Sequence, residues 1–134
     1  MNFLLDTHIV MWALIDHPNL PSHVRELILN EDNTIFYSTI TPWEVEIKHL
    51  KKPDEVRISG ERLAYMCDQA GFVNLNICND HIKELKNVVP NDQKVKHNDP
   101  FDKMLLAQAR SEGMILVTHD KKFNGYNDPH LMTC

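Results

Sequence analysis

Asn2-Phe3-Leu4-Leu5-Asp6-Thr7-His8-Ile9-Val10-Met11-Trp12-Ala13-Leu14-Ile15 is the stretch on which the fold turns. Asn2 to Leu5 is a brief apolar run that stops at a carboxylate, and a run of that length reads as a strand buried on both faces. Thr7 to Ile15 then carries Ile9, Val10, Trp12, Ala13 and Leu14, an apolar-rich helical stretch. The strand-then-acid order returns near the other end, where Met114 to Thr118 reads as a strand and His119-Asp120 follows it.

Strands and helices alternate between these two segments. Leu20-Pro21-Ser22 opens a helix with Val24, Leu27 and Ile28 on one face, Asn30 to Asn33 is a turn, and Thr34 to Ser38 is a second strand. Thr41-Pro42-Trp43-Glu44 has the order of a helix start, with Thr41 as N-cap, and that helix runs to Lys51-Lys52-Pro53. A helix over Gly60 to Ala70 closes on Gly71, and a strand spans Phe72 to Ile77. Asn79 to Val88 is expected as a short amphipathic helix with Ile82, Leu85 and Val89 inward, and Pro90 to Asn98 as a polar loop. Asp99-Pro100 starts the next helix, which carries Phe101, Met104, Leu105 and Ala109 and stops at Gly113. Four strands alternating with helices predict an α/β fold, a three-layer α/β/α sandwich with a mostly parallel central sheet. Ligands of such sheets bind outside the carboxyl ends of the strands, where Asp6 and Asp120 fall.

The chain has 134 residues, 43% hydrophobic and 25% charged, which fits one globular domain over residues 1–134. Lys plus Arg is 14 against 19 Asp plus Glu, a formal charge of −5. Binding of nucleic acid by bulk charge is therefore disfavoured, and such a partner must meet a local basic patch or a cation seated among acids. Cys67, Cys78 and Cys134 form no C-x-x-C pair and are odd in number, which points to a reducing compartment. The apolar N-terminus lacks a basic flank and is broken by Asp6 and His8, so neither a signal peptide nor a membrane span is expected, and the predicted location is the cytoplasm.

Asp6, Glu44, Asp102 and Asp120, with Asp99 close by, are the candidate site residues. Each also has a local reading: Asp6 and Asp99 as N-caps, Glu44 in a capping box, Asp102 in the first turn of a helix, Asp120 in a turn. Taken together, four carboxylates facing one hollow would raise one another's pKa unless a cation sat among them. An all-oxygen set favours a hard divalent ion, Mg²⁺ or Mn²⁺. Such an ion activates water and stabilises charge on a phosphoryl group.

Leu4-Leu5-Asp6-Thr7-His8, Trp43-Glu44, Asp99-Pro100-Phe101-Asp102-Lys103-Met104-Leu105-Leu106-Ala107-Gln108-Ala109 and Leu116-Val117-Thr118-His119-Asp120 resemble the ordered signatures of a PIN domain, and within that family the VapC-like toxins of bacterial type II toxin–antitoxin systems. The resemblance runs from Asn2 to about Phe123. It implies a Mg²⁺-dependent endoribonuclease that hydrolyses RNA phosphodiesters with activated water and leaves a 5′-phosphate and a 3′-hydroxyl. It assigns Asp6, Glu44, Asp102 and Asp120 to metal binding and catalysis, and gives Asp99 either a capping role or an outer contact through water. It implies a homodimer, an RNA substrate (tRNA, rRNA or message) and a cognate antitoxin whose tail covers the groove.

Thr7 and Ser38 stand at strand ends, where relatives use a hydroxyl to hold a carboxylate or a water. Lys48, Lys103, Lys121 and Lys122 are the candidate RNA contacts, and Lys51, Lys52 and Arg110 are further basic residues for the rim. Trp12 and Trp43 read as core residues, and His8 and His119 as structural histidines beside acids. The competing reading is a PIN-fold module that binds RNA or protein without cutting, against which the presence of all four acids counts. A response-regulator receiver would need paired acids after the first strand, and a haloacid-dehalogenase-type phosphatase an acid at His8; the sequence has neither.

Overall fold

The computed structural model describes residues 1–90 and 99–134. The loop read over Pro90 to Asn98 lies, beyond Pro90, outside the described residues. Five strands, β1 (Asn2–Leu5), β2 (Thr34–Ser38), β3 (Val73–Leu75), β4 (Ile115–Thr118) and β5 (Leu131–Thr133), form one sheet in the order β3-β2-β1-β4-β5. Every pairing is parallel, so the sheet is all parallel rather than mostly so. Six helices connect and cover it: α1 (Thr7–Ile15), α2 (Ser22–Leu29), α3 (Ile40–Lys51), α4 (Gly60–Gln69), α5 (Asn79–Glu84) and α6 (Pro100–Glu112).

Alternation along the strands sorts the side chains into two cores. Phe3, Leu5, Ile35, Tyr37 and Val117 face a layer built on Ile9, Val10, Val24, Val45, Leu63 and Cys67. Leu4, Leu116 and the partly buried Phe36 face the other, with Leu105, Leu106, Ala109 and Val88. Both faces are covered, and the apolar strand sequences follow from that. The chain steps outward from β1 to β3 and then returns to β4 beside β1. That reversal leaves a crevice at the carboxyl ends of β1 and β4, the expected position for a ligand. The described residues contain no helix long and apolar enough to cross a membrane.

Four sequence expectations are corrected. The sheet has five strands, not four; β5 is only three residues long and follows the turn-forming Asp128-Pro129. Helix α3 begins at Ile40, so Thr41 lies buried in its first turn instead of capping it, and Thr39 in the cap position makes no side-chain cap bond. Helix α5 presents a different face: Ile82 (52% exposed) and Val89 (61%) point outward, while His81 and Val88 are buried. The α-helix yields to a 3-10 turn over Leu85–Asn87, which breaks the regular 3.6-residue spacing assumed from the sequence. Strand β3 is also shorter than the Phe72–Ile77 run. Gly60 holds α4 close against α3, since a Cβ there would lie 2.2 Å from the Pro42 carbonyl oxygen.

Candidate active site

Asp6 leaves β1 with its N–H bonded to the Val117 carbonyl of β4 at 3.0 Å, which fixes it over the crevice. One carboxylate oxygen, Oδ1, accepts the Ile9 N–H at 2.9 Å and caps α1. The other, Oδ2, accepts the Thr118 hydroxyl from the end of β4. Asp6 is only 4% exposed. Burial pushes its carboxyl above the ordinary carboxylate range and the Asp120 charge adds to this, while the two hydrogen bonds and His8 pull the other way.

Thr118 joins two acids. Its hydroxyl oxygen accepts the Asp120 N–H at 3.0 Å while its proton goes to Asp6. Asp120 Oδ1 in turn accepts the Lys122 N–H at 2.9 Å and caps the 3-10 turn Lys121–Gly125. Sequence reasoning passed over Thr118. The available signal was a hydroxyl residue at the last strand position, two before an acid.

Glu44 reaches the same edge from α3. Its Oε1 accepts the Thr7 hydroxyl at 2.9 Å, and its Oε2 pairs with Lys48 Nζ at 2.9 Å. Thr7 spends its one proton on Glu44, so the 3.3 Å contact between Thr7 and Thr41 hydroxyls has Thr41 as the donor. The hydroxyls of Thr7 and Thr41 thus tie the first turns of α1 and α3 together. Ser38, fully buried, accepts the Ile40 N–H at 3.1 Å and shapes the β2–α3 turn.

Asp102 lies in the first turn of α6, and Asp99 is that helix's N-cap, its Oδ1 accepting from Phe101 N at 2.9 Å and Asp102 N at 3.3 Å. Helices α3 and α6 meet through an edge-to-face pair of Trp43 and Phe101, centroids 4.9 Å apart. Trp43 is 52% exposed, so it is not the core residue the sequence implied; it holds together the helix starts that carry Glu44 and Asp102. The Tyr126 phenol is pushed above its ordinary range by burial and then by the Asp102 charge, which places Asp102 beside the segment that follows Asp120.

The basic residues divide. Lys48 pairs with Glu44, Lys121 and Lys122 are exposed beside Asp120, and Lys103 lies in the first turn of α6. Arg110 is removed from any rim: at the far end of α6 it pairs with Glu84 at 2.9 Å and Asp128 at 2.6 Å. Eight residues of helix, about 12 Å, separate it from Asp102.

These acids fit a hard divalent cation by two observations. Asp6 is a buried carboxyl beside a second acid, and a cation there would offset both causes of its raised pKa. The set is all oxygen, the ligand type of a hard cation, although among the described residues no three of these carboxylates bring ligand oxygens within 4.8 Å of one another.

A family model described as PIN domain matches residues 3–128. No curated protein sequence matches the chain. Among solved structures it resembles VapBC2 from Rickettsia felis bound to a DNA fragment from their promoter, with 22% identity, a TM-score of 0.68 and coverage of 100% of this chain and 98% of that one. It also resembles DNA-bound VapBC from Salmonella typhimurium, at 21% identity and TM-score 0.68, covering 99% and 98%. A toxin–antitoxin complex from Klebsiella pneumoniae aligns at 26% identity and TM-score 0.61, covering 97% and 95%.

Proposed function

The chain belongs to the PIN domain family, and from that premise we propose that it is a metal-dependent endoribonuclease, the toxin of a toxin–antitoxin pair. The observation that carries this reading is the gathering of three acidic residues at one sheet edge: Thr118 bonds the Asp6 carboxylate and the backbone N–H of Asp120, and the Glu44 carboxylate accepts the hydroxyl of Thr7, the residue after Asp6.

Asp6, Glu44, Asp102 and Asp120 are the residues that would hold Mg²⁺ or Mn²⁺, directly or through waters. The bound ion supplies Lewis-acid chemistry: it makes water a usable nucleophile near neutral pH and neutralises charge on phosphoryl oxygens. Asp6 is the fixed point of the set, both of its oxygens oriented by bonds from Ile9 and Thr118. Glu44 is aimed by Thr7 and partly neutralised by Lys48. Lys121, Lys122 and Lys103 hold the RNA backbone along the rim, and Asp99 sets the start of α6.

The solved neighbours include toxin–antitoxin assemblies, which supports a protein partner for this chain. The proposed partner is a cognate antitoxin with a basic segment that enters the acidic edge, and the working form is a cytoplasmic homodimer. The test is digestion of total bacterial RNA by purified, antitoxin-free protein in Mg²⁺, Mn²⁺ and EDTA. Discrete fragments that require metal are expected. Intact RNA under all conditions, from protein with a folded circular dichroism spectrum, contradicts the nuclease and leaves a binding module.

A further inference from the structure

Beside Asp120 the surface opens into a hollow of about 410 Å³ lined by His8, Trp12, His119, Asp120 and Lys121. That volume falls in the roughly 300–1,000 Å³ range of small-ligand sites. Three of its lining residues are rings in contact: His119 meets Trp12 edge-on at 5.2 Å and His8 tilts towards it at 6.1 Å. Outside the lining, Trp12 also stacks on His17 with centroids 5.9 Å apart and planes 21° apart. Two of the imidazoles are fixed from behind. His17 Nδ1 accepts the Asn19 N–H at 3.0 Å, and His119 Nδ1 lies 2.6 Å from the Cys134 carbonyl. A carbonyl only accepts, so His119 carries its proton on Nδ1, and its neutral form leaves Nε2 as an acceptor.

We propose that this hollow is a stacking subsite for one unpaired nucleobase of a single-stranded RNA, immediately beside the phosphodiester at the acids. The proposal rests on the nuclease reading given above. Its location is set by Asp120, which forms one rim and is joined to Asp6 through Thr118. The chemistry of the wall fits a base: every nucleobase offers a π-face to an aromatic ring, and His119 Nε2 can accept an N–H from a base edge. Lys121 on the same rim suits the adjoining phosphate. A-form duplex offers no such base, so the substrate class is a loop, a bulge or a free strand. Trp12, half-buried and packed against the core as the sequence implied, presents its remaining surface to the hollow and is the stacking residue of this end of the site.

The chain has two tryptophans, so in a Trp43→Phe protein the emission reports Trp12 alone. Titration with hexameric oligoadenylate or oligouridylate, with Ca²⁺ in place of Mg²⁺, is expected to quench that emission saturably. His119→Ala, an exposed change, should weaken the binding about tenfold. In metal-dependent cleavage, Trp12→Leu should raise KM about 10- to 100-fold with kcat within about a factor of two. Cleavage whose KM ignores both substitutions, with no quench by either oligonucleotide, overturns the subsite and leaves the nuclease standing. Saturable quenching without any cleavage keeps the subsite and removes the nuclease. A hexa-arginine peptide that quenches Trp12 where neither oligonucleotide does assigns the hollow to a basic protein segment and overturns the proposal.

Discussion

Two polar clusters in this molecule look alike by composition and behave differently. Cys78, His81 and Glu112 bring three ligand-type atoms within 4.8 Å of one another, tighter than any three carboxylates at the sheet edge. Yet His81 is already satisfied: Nδ1 accepts the Cys78 N–H at 3.1 Å, and Nε2 donates to Glu112 Oε1 at 2.8 Å. Donors meet acceptors there, and the outcome is a capped helix α5 tied to the end of α6. At the sheet edge one hydroxyl, that of Thr118, donates to the Asp6 carboxylate and accepts the backbone N–H of Asp120, and the buried Asp6 has its pKa raised by that burial and, to a lesser degree, by the Asp120 charge. Proximity of ligand atoms marks a site poorly. A group left electrostatically unfavourable by its own fold marks one better.

The largest expected effect comes from Asp6→Asn, which removes the charge and keeps the shape. RNA cleavage should fall by about 10²- to 10³-fold or more, while circular dichroism is unchanged. Undiminished cleavage would show that the buried acid is only a cap for α1. Thr118→Val comes next. It removes the hydroxyl shared by Asp6 and Asp120 and should cost about 10- to 100-fold in rate, with metal affinity falling alongside. A variant that loses stability but keeps its rate and metal affinity would reduce Thr118 to a structural role.

The second cluster should respond in the opposite sense. His81, 1% exposed, leaves the Cys78 N–H and the neighbouring Gln108 amide without their partner when replaced by Leu. Stability should fall by about 1–3 kcal/mol in urea titration, with the cleavage rate per folded molecule unchanged. A changed rate at saturating metal would couple the clusters. The smallest effect concerns pH. The folded pKa of Asp6 lies above the ordinary carboxylate value of 3.8, so ionisation opposes folding: that stability is present below about pH 4 and lost as pH rises through the folded value. Metal-free Asp6→Asn should therefore melt higher than the parent at pH 7, with the gain disappearing near pH 4. An equal difference at both values would trace it to packing.

Much of this was legible in the sequence because the deciding segments are local. Asn2 to Leu5 and Thr34 to Ser38 are short apolar runs closed by polar residues, and Asp99-Pro100 with Gly113 (φ +68°) delimits α6 by backbone chemistry alone. The candidate acids stand out in the sequence because each follows a strand or lies near a helix start. What the sequence concealed depends on contacts between distant segments. Thr118 and Asp6 are 112 residues apart, and nothing near either one announces their bond. Thr41 has the local signature of a cap but is drawn into the helix and bonded to Thr7. The face of α5 was misread because His81, a polar residue, is buried by its partner Glu112 on another helix.

The central claim is that the sheet-edge acids, and not the tighter Cys78–His81–Glu112 cluster, bind the divalent ion. Mn²⁺ binding followed by electron paramagnetic resonance, on the parent chain, Asp6→Asn and Glu112→Gln, tests it most directly. The account predicts binding by the parent, its loss in Asp6→Asn and its retention in Glu112→Gln. Retention in Asp6→Asn together with loss in Glu112→Gln would contradict it.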